Sequence, residues 1–233
     1  MKNLFYRGFF LYEMDNTKIV RRTINFVKKT LTGAEGGHDW FHIERVYKNS
    51  LLIAQEESCD LLVVELGALL HDIADSKFYD GDETIGPILA REFLESEKID
   101  PSSIDHVVQI ILNISFKSSL DPQTANRFSS TELKIVQDAD RLDAIGAIGI
   151  ARAFNYGGFK NRPLYDPEIE PNMNMDKETY KKSKAPTINH FYEKLLLLKD
   201  KMNTKTGRKI AVERHEFMVK YLDEFLQEWE GEK

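Results

Sequence analysis

The chain has 233 residues, of which 42% are hydrophobic and 30% charged, and this composition is typical of a globular protein rather than a disordered one. Its 32 basic and 38 acidic residues give a formal charge of -6, which argues against broad binding to nucleic acids or anionic membranes. No apolar run approaches the ~20 residues of a transmembrane helix. The single cysteine, Cys59, excludes an internal disulfide and a cysteine-based zinc site. We therefore expect a cytoplasmic protein that binds neither nucleic acid nor a membrane.

The N-terminal residues are rich in aromatic side chains, which raises the question of a signal peptide. Arg7 interrupts their apolar stretch, the stretch stops at Glu13, and no small-residue cleavage site follows. Asp15 and Asn16 are typical of a helix N-cap. We interpret residues 1–14 as an N-terminal appendage and place the domain over residues 15–233.

Apolar residues recur at helical spacing along almost the whole chain, as at Val20, Ile24, Val27 and Leu31. The segment from 61 to 73 is apolar nearly all round, which predicts a buried central helix. The predicted helices cover residues 20–31, 43–57, 61–73, 85–97, 104–114, 132–154, 188–202 and 207–229.

The segment from 156 to 187 differs from the rest because it holds 4 of the 7 prolines and the pair Gly157 and Gly158. A loop this long inside a compact domain is usually functional or disordered. We predict a long loop over residues 155–187 that acts as a lid, with a static connector as the alternative. No strand alternation or internal repeat is evident. The predicted fold is all-α, a single helical bundle with this loop before its two C-terminal helices.

Two His-Asp dipeptides, His38-Asp39 and His71-Asp72, stand in different surroundings. The first follows a glycine pair at a helix start, whereas the second lies within an apolar helical segment. An imidazole and a carboxylate inside such a segment cost several kcal/mol unless something compensates them. A divalent cation compensates both, because it pairs with the carboxylate and accepts a nitrogen lone pair.

Two further residues show the same anomaly. Asp140 begins an apolar stripe that continues through Ala144, while His42 lies one turn before Val46. Together with His71 and Asp72 they form a mixed nitrogen and oxygen set for one divalent ion, with positions left for water and substrate. The residues alone leave alternatives open, since a core histidine can bond a backbone carbonyl and Asp140 can cap a helix.

The order of His42, His71-Asp72 and Asp140 resembles the HD-domain superfamily of metal-dependent phosphohydrolases. The resemblance extends to the bacterial YpgQ/YedJ-like branch and covers nearly everything from residue 15 onward. It is carried by the segments 37–46, 70–77, 113–117, 138–146 and 187–195. It implies an HD-domain fold in which His42, His71, Asp72 and Asp140 hold one divalent metal ion, which could be Mn, Mg, Fe, Ni or Co.

The resemblance also implies roles close to the reacting water. Asp75 corresponds to an acidic residue that orients or deprotonates the attacking water in related phosphohydrolases, with a helix-end cap as the alternative. His38, four residues before His42, is a candidate to donate a hydrogen bond to phosphate or to act as an acid, with an ordinary loop histidine as the alternative.

Basic side chains near these motifs are candidate contacts for substrate phosphates. They are Arg45, Lys77 and Lys117, although Arg45 could pair with a nearby acid and an isolated lysine is usually solvated. His106 and His215 have no motif around them and are expected to be structural or exposed. His190 belongs to one of the segments that carry the resemblance, with packing of the long loop against the core as the alternative.

The resemblance implies an enzyme that hydrolyses nucleoside or deoxynucleoside triphosphates to monophosphate and pyrophosphate. Nucleotide monophosphatases and phosphodiesterases of the same superfamily are the alternative hydrolases. HD-type folds also include di-iron oxygenases, which need about twice as many ligands. A nucleotide-sensing scaffold without turnover is the alternative outside enzymes. The expected partner is a small-molecule nucleotide, with a homo-oligomer left open.

Overall fold

The computed structural model describes residues 2–33, 39–74, 84–114, 128–173 and 184–233, with side chains from residue 16 onward. Within these ranges every regular element is a helix, so the all-α fold class is confirmed. None of the described helices is long and apolar enough to cross a membrane. In chain order the helices are α1 (Lys2–Thr30), α2 (Trp40–Ala54), α3 (Leu61–Leu70), α4 (Ile85–Ser96), α5 (Pro101–Asn113), α6 (Thr131–Asp143), α7 (Gly146–Phe159), α8 (Thr187–Glu193), the 3₁₀ helix η1 (Leu195–Lys201) and α9 (Lys205–Trp229).

The chain divides into two compact units, Met1–Val136 and Gln137–Lys233. The separation of residues 1–14 from the rest as an appendage stays a prediction. The helix start predicted at Asp15 and Asn16 is wrong, because α1 begins at Lys2 and continues through both residues.

Helix α3 is the centre of the first unit and packs against α1, α2 and α5. Its N-terminus is capped by Asp60, whose carboxylate accepts hydrogen bonds from two backbone N–H groups of the first turn. Gly67 allows α5 to approach closely, since a Cβ there would lie 3.0 Å from Cδ1 of Ile110. The all-round burial confirms the predicted central helix, and its buried positions are Val63, Val64, Leu66, Gly67, Ala68, Leu69 and Leu70.

The predicted extension of this helix to Ile73 is wrong, because α3 ends at Leu70 and residues 71–74 form a turn. The backbone N–H of Ile73 donates to the carbonyl of Leu70, three residues back, rather than to the residue four back. This tighter bond curls the chain at the helix end. His71 and Asp72 therefore lie at the end of α3 and not inside it.

The second unit is built around an aromatic cluster on α9. Phe154 of α7 lies 5.9 Å from Phe191 of α8 and 6.2 Å from Tyr221 of α9, measured between ring centroids. Tyr165 packs edge-on against Trp229 at 5.2 Å. Aromatic residues at helical spacing on the last helix thus hold α7, α8 and the segment after α7 together.

Two helices predicted as continuous are each divided. The predicted helix 132–154 breaks between α6 and α7, where Gly146 has φ +74°, a left-handed conformation that glycine adopts at little cost. A Cβ at Gly146 would also lie 3.0 Å from Cβ of Arg214. The predicted helix 188–202 breaks at Lys194, whose φ of -143° and ψ of -57° separate α8 from η1.

The predicted long loop begins later than expected, because α7 continues to Phe159. Its first part is tied to the start of α8: the N–H of Thr187 donates to the carbonyl of Pro163 at 2.9 Å, and the N–H of Ile188 donates to that of Leu164 at 3.0 Å. Residues 174–183 lie outside the described residues. The lid therefore stays a prediction.

Candidate metal centre

His42 lies in the first turn of α2, where the local fold fixes its position. Asp39 is the N-cap of this helix, and its carboxylate accepts a hydrogen bond from the backbone N–H of His42 at 3.0 Å. The His42 side chain is only 2% exposed. The aspartate of the first His-Asp dipeptide thus shapes the helix that carries His42.

His71 follows the last residue of α3 and is 6% exposed. Its Nδ1 donates a hydrogen bond to the carbonyl oxygen of Ala68 at 2.8 Å. In a neutral ring this bond leaves the lone pair on Nε2, and that atom is buried with no hydrogen-bond partner among the described residues. A buried nitrogen without a donor is costly, so the geometry calls for a group that accepts its lone pair.

His42, His71 and Asp72 come together at one place in the first unit. Each offers a ligand atom, and the three atoms lie within 4.8 Å of one another. The two imidazole rings approach edge to face, with centroids 5.3 Å apart and planes inclined by 68°. Two ring nitrogens and one carboxylate form a donor set that suits divalent transition metals, and a metal-binding histidine usually donates its other N–H to an acceptor, as His71 does. These residues fit a divalent ion.

Asp140, the fourth predicted ligand, lies on α6 in the second unit and is half-buried. Because the other three residues belong to the first unit, its participation in the same centre stays a prediction. Side chains next to Asp140 on α6 make polar contacts that fix this part of the helix. The most buried of these neighbours is Asp138, whose carboxylate accepts hydrogen bonds from Asn203 and Thr204.

The other predicted site residues are only partly described. Arg45 lies on α2, three residues after His42, and is half-buried. Its role as a phosphate contact stays a prediction. The remaining candidates lie outside the described residues; they are His38, Asp75, Lys77 and Lys117. Their catalytic and phosphate-binding roles stay predictions.

Two histidines outside the cluster, His106 and His190, have surroundings typical of structural residues. His106 lies 2.9 Å from the Ser130 hydroxyl through its Nε2 and packs edge-on against Phe128. Loss of hydration lowers the pKa of His190 to about 3, and the positive charges of Lys194 and Arg162 act in the same direction. His190 is therefore neutral at physiological pH.

The sequence interpretation missed a polar pair that links α2 and α3, the helices that bring His42 and His71 together. The hydroxyl of Tyr47 donates to the carboxylate of Glu65 at 2.7 Å. Burial raises the pKa of Glu65, and the bond from Tyr47 acts against that rise. Burial and the neighbouring Glu65 raise the pKa of Tyr47 as well. A glutamate amid apolar residues on a central helix was the signal that could have pointed to this pair.

Comparison with known proteins identifies the family of this chain. Residues 40–145 match the model of the HD domain family. The chain is 37% identical to the uncharacterized protein YpgQ of Bacillus subtilis over 220 residues, which are 94% of this chain and 97% of that protein. The chain therefore belongs to the HD domain family, and the predicted resemblance to the YpgQ-like branch is confirmed.

Solved structures extend the comparison to the fold. An HD-superfamily hydrolase from Bacillus thuringiensis is 40% identical, with a TM-score of 0.73 over 92% of this chain and 98% of that chain. The structure of Bacillus subtilis YpgQ in complex with ADP is 38% identical, with a TM-score of 0.70 over 92% of this chain and 96% of that chain. The protein is thus an HD-superfamily hydrolase, as its sequence predicted at this level.

Proposed function

We propose that this protein is a metal-dependent phosphohydrolase that cleaves nucleoside or deoxynucleoside triphosphates to the monophosphate and pyrophosphate. The observation that carries the proposal is the buried Nε2 of His71, which has no hydrogen-bond partner among the described residues, on a histidine that lies beside His42 and Asp72. A purely structural histidine in an apolar core would normally have both polar ring atoms satisfied.

The metal would be held by His42, His71 and Asp72, with Asp140 as the fourth protein ligand. A divalent ion in this position supplies positive charge against phosphate oxygens and makes a neighbouring water more acidic. The donor set accepts several metals, and Mn²⁺ and Mg²⁺ are the first to test.

The protein's own residues carry the remaining steps. In the proposed reaction water attacks the α-phosphorus in line with the leaving group, the bond to the bridging oxygen of the β-phosphate breaks, and pyrophosphate leaves. Asp75 orients the water and accepts its proton, and His38 donates a hydrogen bond to phosphate or a proton to the leaving oxygen. Arg45, Lys77 and Lys117 would bind the phosphates that do not react.

Support for a nucleotide substrate comes from the complex of Bacillus subtilis YpgQ with ADP. ADP carries a nucleobase and two of the three phosphates that the proposed substrate has. The triphosphate and the scissile bond rest on the resemblance of the motifs around His42, His71 and Asp140.

The experiment is a panel of nucleoside mono-, di- and triphosphates and cyclic nucleotides, incubated with Mg²⁺ or Mn²⁺ and separated by anion exchange. We expect triphosphates to give monophosphate and pyrophosphate. In ¹⁸O-labelled water the label should enter the monophosphate, because the α-phosphorus is attacked. Phosphate release from monophosphates would instead indicate a monophosphatase, and opening of cyclic nucleotides a phosphodiesterase. Nucleotide binding without any turnover would indicate a sensing scaffold.

A further inference from the structure

Asp138 is fully buried, and its carboxylate accepts several hydrogen bonds. Its carboxylate accepts hydrogen bonds from the backbone N–H of Thr204 at 2.7 Å and the Thr204 hydroxyl at 2.8 Å. It also accepts from the backbone N–H of Asn203 at 2.9 Å and from the Asn203 side chain at 3.0 Å. Gly207 leaves room for this arrangement, since a Cβ there would lie 2.6 Å from Oδ2 of Asp138.

These bonds join α6 to the N-terminus of α9. Thr204 is the N-cap of α9, and its hydroxyl oxygen accepts a hydrogen bond from the N–H of Gly207 while its hydrogen goes to Asp138. A carboxylate at this end of a long helix also faces the positive end of the helix dipole. The loop before α9 and the helix that carries Asp140 are therefore held as one piece by Asp138.

The neighbours of Asp140 on its other side are held too. Arg141 donates to the carbonyl oxygen of Lys201 at 2.6 Å, and Arg214 donates to the carbonyl oxygen of Leu142 at 2.5 Å. Asp140 thus lies in a segment of α6 whose backbone is fixed before and after it.

The oxygens of Asp138, the first aspartate of the Asp138-Ala139-Asp140 motif, are engaged within the protein. An ionised carboxylate has about four lone-pair sites, and those of Asp138 are taken up by Asn203, Thr204 and the more distant Arg141. Asp138 is therefore not suited to ligate a metal. A fully buried carboxylate with this many hydrogen bonds is suited to holding the two segments that it joins in a fixed relative position.

We propose that Asp138 is a positioning residue: by tying α6 to the Asn203–Thr204 segment, it fixes the turn of α6 that carries Asp140, the proposed fourth metal ligand. This inference rests on the proposed function, in which Asp140 is the fourth ligand. Residues that orient metal ligands typically contribute ten- to a hundredfold to metal affinity. Asp138 would act on Asp140 through the backbone of α6 rather than through a direct contact.

The test measures Mn²⁺ affinity by calorimetry, together with the melting temperature of the metal-free protein, in the full-length chain. Asp138→Asn keeps one acceptor oxygen and replaces the other with an NH2 donor, on a side chain that accepts from two backbone N–H groups. Thr204→Val keeps the side-chain shape but removes the hydroxyl that bonds Asp138, and Thr204→Ser retains that hydroxyl. Gly157→Ala is the control, because it disturbs the packing of α7 on α8 and leaves every contact of Asp138 in place.

We expect Asp138→Asn and Thr204→Val to raise the Mn²⁺ dissociation constant about tenfold or more. Thr204→Ser should restore wild-type affinity, and Gly157→Ala should lower the melting temperature without changing affinity. If Asp138→Asn does not fold, the comparison of Thr204→Val with Thr204→Ser tests the inference instead. Unchanged Mn²⁺ affinity in Thr204→Val, whatever its melting temperature, would overturn the inference while leaving the proposed function intact. A wild-type protein that binds neither Mn²⁺ nor Mg²⁺ would instead overturn the proposed function itself.

Discussion

His71 donates its Nδ1 hydrogen to the carbonyl oxygen of Ala68 across 2.8 Å, and this single bond sets the orientation of the ring. The acceptor is available because α3 ends at Leu70, so the carbonyl of Ala68 belongs to the last turn of the helix, where carbonyls lack intrahelical partners. The bond leaves Nε2 as the nitrogen of His71 that has no hydrogen-bond partner in the described parts of the chain, and His71 lies beside His42 and Asp72. The proposed metal centre depends on where this helix stops.

A ligand and a water-orienting residue should respond differently to substitution. We expect His42→Ala to weaken Mn²⁺ binding, because it removes one of the clustered ligand atoms. Asp75→Asn should leave Mn²⁺ affinity and KM nearly unchanged and lower kcat by about 10²- to 10⁴-fold, the usual contribution of general base catalysis. Calorimetry with Mn²⁺ and steady-state kinetics on one triphosphate separate the two. A wild-type kcat in Asp75→Asn would contradict the catalytic role and favour the alternative, in which Asp75 caps a helix end.

Acid should destabilise the fold through His190. Its pKa is lowered to about 3 in the folded protein, whereas an unfolded histidine has a pKa near 6.5. Between these values the unfolded chain binds the extra proton, so the free energy of unfolding falls as the pH falls below 6.5. At pH 5 the loss from this residue is about 2 kcal/mol.

Urea unfolding at pH 7 and pH 5 measures this effect. The pH-dependent loss should be about 2 kcal/mol smaller in His190→Gln than in the wild type, because glutamine does not titrate. Equal losses in both proteins would show that other groups carry the acid sensitivity.

The adjacent glycines of α7 should behave in opposite ways. A Cβ at Gly157 would lie only 2.1 Å from the Thr187 hydroxyl oxygen, whereas a Cβ at Gly158 would meet nothing within 4 Å. We expect Gly157→Ala to lower the free energy of unfolding by about 1–3 kcal/mol through overpacking. Gly158→Ala should be neutral or raise that free energy by up to about 1 kcal/mol, because alanine favours a helix.

The Thr187 hydroxyl provides the check on this mechanism, since its oxygen is buried without a hydrogen-bond partner among the described residues. Thr187→Ala should therefore relieve much of the cost of Gly157→Ala in the double variant. Chemical denaturation of the two single variants and the double variant measures the coupling. Additive effects would mean that the clash is with another part of α8.

The sequence predicted the parts of the fold that depend on local pattern. The apolar residues of α3 and the clustered His42, His71 and Asp72 could be identified from periodicity, burial cost and motif. The ends and breaks of helices could not. The helical spacing continues across Gly146, and only the packing of Arg214, which is far along the chain, reveals the left-handed turn there.

The contacts that support the site could not be predicted from the sequence either. Asp138 and Thr204 are separated by 66 positions, and nothing in the local sequence of either residue indicates the other. Tyr47 and Glu65 are 18 positions apart on two different helices. Motifs identify residues that touch a ligand, whereas the contacts that orient those residues appear only once the chain is folded.

The central claim is that His42, His71 and Asp72 hold a divalent metal, and Asp72→Ala tests it most directly. The protein is purified, loaded with Mn²⁺, desalted and analysed by elemental analysis, with circular dichroism as the measure of helix content. Asp105→Ala is the control, because this exposed aspartate on α5 pairs with Arg91 at the surface and lies outside the cluster of His42, His71 and Asp72. We expect about one metal ion per chain in the wild type and in Asp105→Ala. Asp72→Ala should keep the helical spectrum and lose nearly all of the metal, whereas full metal occupancy in Asp72→Ala would contradict the proposed centre.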